Sequence, residues 1–455
     1  MNRRMVLLSI WAVSFAFLIF PAVDAASFKA GVAKVVITPD YDMWMSGYAS
    51  RDRPSEGKVH DLHAKALALQ DGEGNRCVLL TTDLIGLPGR FSEKVATIIE
   101  QETGLPRAAI MLTSSHTHSG PVLRDDGLEG MYFLSDEQWE RVDRYMRELE
   151  TKLVSVILSA LDNLEPAQLF MGKGTAGFAI NRRQYNLDNI SIGHNPIGPV
   201  DHDVPTLKVV DANGKMKAVV FGYACHNTTL SFYQFCGDYA GYAQYDLEEQ
   251  YPDALALFWT GCGADANPNP RRELAHAIAH GKELSKAVQT VLNSPMKEVK
   301  GPIRMEFSQI DLPLTPAPTR EKVEEDLKSE DRYIQSRAKK LMAQLDRNGK
   351  ISETYSYPLQ VWRFNDDIIW IAMAGEVVVD YALRLKHELG QEQTWVTGYA
   401  NDVFAYIPSL RVLREGGYEV DSSMIYYGLH GPWKPEVEKL IVEEIHRLMQ
   451  RTKAK

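Results

Sequence analysis

Short apolar runs recur along the chain, and each closes on polar, small or glycine residues. Residues 77–83 (CVLLTTD), 108–118 (AAIMLTSSHTH), 217–229 (KAVVFGYACHNTT), 254–270 (ALALFWTGCGADANPNP) and 367–376 (DIIWIAMAGE) all follow this pattern. Short runs rich in Val, Ile and aromatics read as buried strands. Their polar ends are Asp83, His116 with His118, His226, Asp265 with Asn267, and Glu376. Between them, apolar residues at three-four spacing predict helices over 92–104, 138–164 and 377–390, and the first and last stop at Gly104 and Gly390. This alternation predicts an α/β, multilayer architecture. Residues 358–373 read as two antiparallel strands around the turn NDD, so the sheet is expected to be mixed. Ligands of open α/β sheets collect beyond the carboxyl ends of strands, which predicts one pocket shared by these polar ends. The charged segment 315–350 reads as a solvated helix with no catalytic role.

The totals narrow the classes. A chain of 455 residues with 45% hydrophobic and 24% charged content can bury a core. A net charge of −10 argues against a nucleic-acid partner, which needs a clustered basic excess. The start of the chain has Arg3 and Arg4, then an apolar stretch from Met5 to about Phe20, then Val23-Asp24-Ala25. That order is a signal peptide over residues 1–25, and the alternative is an uncleaved anchor. Export would permit disulfides, yet Cys77, Cys225, Cys236 and Cys262 include no C-x-x-C pair. Buried free thiols are expected, with a zinc-thiolate reading of Cys225 next to His226 as the competitor.

The candidate chemistry centres on the histidines. In extended backbone, residues two apart face the same way, so His116 and His118 share one side. They suit two metal ligands, a ligand beside a proton carrier, or two polar residues at a strand end. His226 occupies the same position after its own strand, and Glu376 stands where a helix dipole alone would favour it. Two or three histidines with a carboxylate form a zinc set with an open position. His276 and His280 lie one turn apart but lack the H-E-x-x-H glutamate, and His60 and His63 around Asp61 read as structural.

The motifs SSHTHSGP, INRR, CHNT, MAGE and YANDVFAYIPS…GGYE, in that order, resemble the neutral (non-lysosomal) ceramidase family. So does the opening GVAKVVITPD…MSGYASR…GKVHDLHAKALAL, and the similarity runs from roughly Ala30 to Glu419. The resemblance implies one zinc held by His116, His226, Glu376 and Tyr406, and hydrolysis of an N-acyl amide bond. It assigns proton transfer to His118, and hydrogen bonding of substrate or oxyanion to Tyr418 and Arg182. Tyr418 lies twelve residues after Tyr406, as the family spacing requires, while Arg183 competes with Arg182 for register. Asp265 matches a further active-site position.

Two departures stand out. Asn267 falls where the family has an active-site Ser, and Asn lacks the hydroxyl for nucleophilic or relay chemistry. The family also adds a C-terminal β-sandwich domain, whereas only Glu419–Lys455 follow Tyr418 here, with a helix predicted over 435–450. The sequence therefore predicts a secreted or periplasmic protein with a single catalytic domain over 26–455. It would bind one zinc, hydrolyse a small-molecule or lipid amide and touch membrane surfaces transiently, with no nucleic acid as partner. The competing readings are a metal-dependent hydrolase of another amide or ester, and a zinc-containing binding protein without turnover.

Overall fold

The largest sheet has nine strands, and its order explains how distant segments meet. It runs Leu255–Thr260, Met216–Tyr223, Asp203–Asp211, Glu165–Thr175, Phe28–Val36, His63–Asp71, Arg76–Thr82 and Ile110–Ser114, with Lys297–Val299 pairing beside Glu165–Thr175. The outermost pair at each edge is parallel and the interior pairs are antiparallel. The two edges curl toward each other, and the Thr260 hydroxyl donates to the Ser114 carbonyl at 2.9 Å. The computed structural model describes residues 28–124 and 131–454. The signal-peptide reading of residues 1–25 lies outside them.

A second sheet packs alongside in the order Ile303–Pro313, Thr354–Phe364, Ile368–Met373 and Thr394–Thr397. Its middle pair is the hairpin read from the sequence, closing through Phe364 and Ile368. Trp259 of the large sheet meets Trp370 and Trp395 of the second at ring separations of 5.6 and 6.4 Å. This aromatic seam fixes the two sheets together, since buried indoles carry large apolar area. The fold is thus mixed α/β with several sheets.

The helices cover the sheet faces as their periodicity requires. Asp136–Asp162 starts at Ser135, whose side chain accepts from the Gln138 N–H, and buries Leu149, Leu153, Val156 and Ile157. It packs on Phe28–Val36 and His63–Asp71. Gly31 permits the approach, because a Cβ there would lie 2.0 Å from the Ala160 carbonyl oxygen. Gly89–Thr103 ends on Gly104 in the left-handed region, and Val379–Leu389 ends at Gly390.

Two segments differ from the sequence pattern. Residues 254–270 form a strand only over Leu255–Thr260; a turn follows, and Ala266–Pro268 then pairs with Ala179–Tyr185. The turn is forced by contact, because a Cβ on Gly263 would lie 2.4 Å from the Cys225 nitrogen. Residues 315–350 form two helices, Arg320–Asp326 and Arg332–Asn348, around a small core of Val323, Ala338, Leu341 and Ile351. Beyond Tyr418, the described residues form a turn-rich stretch and the helix Val437–Ala454. All four cysteines are free and buried. No helix among the described residues is long and apolar enough to cross a membrane.

Candidate metal centre

The two histidine segments leave strands of the two parallel edge pairs, which run in opposite directions along the large sheet, and its curl brings their carboxyl ends together. Ile110–Ser114 delivers His116 and His118, Met216–Tyr223 delivers His226, and Thr117 bridges Asn227 just beyond. The second sheet supplies the other half. Glu376 follows Ile368–Met373 and pairs in parallel register with Tyr406, so the two side chains emerge side by side. Links between Thr113 and Ala400 and between Gly261 and Thr397 bring the halves together.

The ring nitrogens of His116, His118 and His226 lie within 4.8 Å of one another. His116 Nδ1 lies 2.6 Å from the Ile85 carbonyl, and His226 Nδ1 lies 2.8 Å from the Gly263 carbonyl. A carbonyl can only accept, so each Nδ1 carries the proton and each Nε2 keeps a lone pair. Both lone pairs face the same atom: Glu376 Oε2 stands 3.2 Å from His116 Nε2 and 3.0 Å from His226 Nε2. That oxygen is buried and has no hydrogen-bond donor, while Tyr427 donates its hydroxyl to the other carboxylate oxygen. His226 Nε2 also receives an Arg182 N–H at 3.2 Å, but Glu376 Oε2 has no donor at all, and a buried carboxylate oxygen facing two ring lone pairs is a cation site, since buried acceptors are otherwise satisfied. The residues therefore fit a metal ion.

Burial lowers the basicity of two of the three histidines. Burial, with help from Arg182, pushes His226 down to about 4. Burial pushes the Glu376 carboxyl up, but His116 and His226 together outweigh it and hold it well below the usual range. His118 is driven well below an ordinary imidazole by burial and by its two histidine neighbours. Its Nε2 lies 3.2 Å from His116 Nε2, and its buried Nδ1 has no partner. The His118 ring fits only because Gly47 has no side chain: a Cβ there would lie 2.5 Å from the ring, at a φ of 102°.

Arg182 joins the parts. It donates to the Tyr406 hydroxyl at 3.1 Å and to Glu419 at 2.9 Å, and it lies 3.2 Å from His226 Nε2. Arg183 points the other way, to Glu415, Glu419 and the Gly416 carbonyl. Tyr418 packs its ring 5.4 Å from that of Tyr406. A cavity of about 260 Å³ opens over this group, with His116, His118, Glu376, Tyr406 and Tyr418 on one side and Met131, Ile192 and Val403 among its apolar walls.

Asp265 and Asn267 do not line that cavity. Asp265 accepts from the Val379 N–H at the start of its helix and from the Asn181 amide. Asn267 accepts from the Thr228 hydroxyl at 3.3 Å. Asp83, a polar strand end in the sequence pattern, faces Gln244 and the His63 N–H instead. The sequence reading also missed residues. Tyr427 holds Glu376, Tyr399 stacks 4.3 Å from His116, and Glu419 bridges both arginines. The signal for Tyr427 was a Tyr-Tyr pair in a segment without apolar period; Tyr399 sat inside a motif quoted for Tyr406. Both His116 and Tyr399 have left-handed backbones, at φ of 60° and 54°. Such strain collects at functional sites.

Comparison with known proteins places the chain in a family. The family model for neutral/alkaline non-lysosomal ceramidase, N-terminal, matches residues 28–258. Neutral ceramidase A of Dictyostelium discoideum is 27% identical over 274 residues, covering 54% of this chain and 37% of that protein. The neutral ceramidase of Pseudomonas aeruginosa is 27% identical over 241 residues, covering 50% of this chain and 34% of that protein. The chain thus spans about a third of the length of the curated relatives it matches. The crystal structure of neutral ceramidase from Pseudomonas aeruginosa superposes with a TM-score of 0.72 at 19% identity, covering 94% of this chain and 75% of that one. A ceramidase complexed with C2 gives a TM-score of 0.72 at 18% identity. These superpositions show the fold.

Proposed function

The chain belongs to the neutral/alkaline non-lysosomal ceramidase family, and from that premise we propose that it is an exported, zinc-dependent hydrolase of N-acyl amide bonds in a ceramide-like lipid. One observation carries the reading: Glu376 Oε2 sits without a proton between the unprotonated Nε2 atoms of His116 and His226. His116, His226, Glu376 and Tyr406 would hold the zinc, one per chain. When bound, zinc polarises the amide carbonyl and lowers the pKa of a water molecule.

The chain's own residues do the rest. The Ile85 and Gly263 carbonyls lock the two ligand tautomers before any metal arrives. Arg182 holds the Tyr406 oxygen and opposes, without overcoming, the burial that pushes the phenol well above its ordinary value. His118 would take a proton at Nε2 from the attacking water and give it to the amine nitrogen as the C–N bond breaks, and its depressed basicity favours that release. The Tyr418 hydroxyl, in the cavity wall, donates to the substrate carbonyl oxygen. The apolar side of the cavity takes the acyl chain.

Purified protein should contain about one zinc per chain and should cleave an N-acylsphingosine or related amide. A preparation loaded with zinc that cleaves no amide would overturn the proposal.

A further inference from the structure

Arginines cluster behind one wall residue of the cavity although the whole chain is negative. Tyr48 forms part of the wall, with its ring 4.9 Å from that of His118. Three guanidinium groups surround Tyr48. Arg51 lies 5.0 Å from its ring and Arg272 lies 5.5 Å from it. Arg271 is close enough that, with burial pushing the Tyr48 phenol up, it and Arg272 are the main opposing charges. None of the three makes an ion pair among the described residues. Arg51 is buried and spends its terminal nitrogens on the carbonyls of Ser46, His118 and Phe232. The Nε atoms of Arg51 and Arg271 are both buried without a partner. The nearby carboxylate of Asp238 accepts from the N–H groups of Leu230 and Tyr239, and Arg271 opposes its burial without forming an ion pair with it.

The backbone adds an independent observation. Arg272 is held at φ 87°, a conformation that favours glycine, by its N–H bond to the Thr229 carbonyl. A side chain kept there against backbone strain points to a use for that side chain. A second chamber of about 480 Å³ continues from the cavity through Tyr48, Ala49, Ser50, Met131 and Tyr132, and is also lined by Arg51 and Arg332. Its one acid, Asp52, is engaged by Arg53 and Tyr233.

We infer that Arg271 and Arg272, backed by Arg51, form an anion subsite beside the cavity, so that the preferred amide carries a carboxylate or phosphate at its polar end. Guanidinium groups without carboxylate partners suit both anions through paired N–H donors. The inference rests on the amide-hydrolase reading for turnover but predicts binding on its own.

The test uses zinc-loaded full-length protein and three probes with one acyl chain: N-lauroylglycine, N-lauroylethanolamine phosphate and neutral N-lauroylethanolamine. Equilibrium dialysis should give at least about tenfold tighter binding of one or both anionic probes, and 0.5 M NaCl should shrink the preference. The better of the two identifies carboxylate or phosphate as the partner. In R271Q/R272G the preference should fall to about one. R272G alone should keep or raise the melting temperature, because glycine relieves the backbone. Equal binding of all three probes by the wild type, or an equal loss for all three in the double variant, overturns the subsite. Selective binding without cleavage of any amide would instead overturn the hydrolase reading and leave the subsite standing.

Discussion

Two regions of this protein combine histidines with acids, and only one of them is short of protons. Around His60, Nδ1 meets the Asp61 carbonyl at 3.1 Å and Nε2 meets the Cys236 thiol at 3.3 Å. Asp83 nearby receives the Gln244 amide at 3.0 Å and the His63 N–H at 2.9 Å. Each of these acceptors faces a hydrogen. Around Glu376 the same residue types leave Oε2 facing two lone pairs. Capacity for a metal thus lies in the balance of donors and acceptors rather than in the count of histidines.

The sharpest way to break the comparison is to supply the missing protons. Glu376→Gln places an amide between the two Nε2 atoms, so it should satisfy them while removing the charge. Zinc affinity should fall by more than about 100-fold, with the metal-free protein as stable as before or more so. Asp83→Asn in the other region should leave zinc content unchanged. Metal analysis with thermal melts measures both, and full zinc occupancy in Glu376→Gln would refute the ligand assignment. His118→Gln is next in size. It should lower kcat/KM for amide cleavage by about 100- to 10,000-fold and keep the zinc. Loss of the metal would make His118 a ligand and leave proton transfer to another residue.

The alternation of apolar runs made the mixed sheet and its site-bearing ends legible, because the strands that lead to the histidines are short apolar runs, IMLTS and MKAVVFGY. What could not be read is the curling of the sheet, which depends on contacts such as Thr260 with Ser114 between segments far apart in sequence. His116, His226, Glu376 and Tyr406 were named by resemblance, since no spacing links them; their meeting depends on that curl and on the pairing of Glu376 with Tyr406. Asp265 and Asn267 sat at an apolar run's end like the others. The turn at Gly261 and Gly263 carries them past it, onto a helix start and a neighbouring threonine. Arg271 and Arg272 lie on the same loop that departs from the family pattern at Asn267. Their strain and lack of ion pairs are visible only in three dimensions.

Asp265 gives a third, smaller effect. Burial pushes its carboxyl up to about 6, so the folded state prefers it protonated. A raised carboxyl contributes stability that is complete below the unfolded value near 4 and is lost as pH rises through 6. The loss is about 3 kcal/mol at most. Asp265→Asn should therefore flatten the fall in stability between about pH 4 and 6, as measured by urea unfolding. An unchanged slope would mean that Asp265 is ionised in the folded protein, held by Arg411 at 3.9 Å.

The smallest effect tests the proton-satisfied region directly. The Cys236 thiol is the only hydrogen available to His60 Nε2 among the described contacts, and burial keeps it protonated. The surroundings have no slack: a Cβ on Gly241 would lie 2.6 Å from His60 Cε1, so the ring cannot rotate toward a new donor. Cys236→Ala should then cost about 1–2 kcal/mol, the usual penalty for a buried acceptor left unpaired. It should change neither zinc content nor kcat/KM. A drop in zinc occupancy would show that the two histidine regions are coupled. A loss below about 0.5 kcal/mol would mean that the thiol–imidazole bond contributes little, and that this region is stable for reasons other than its balance of protons.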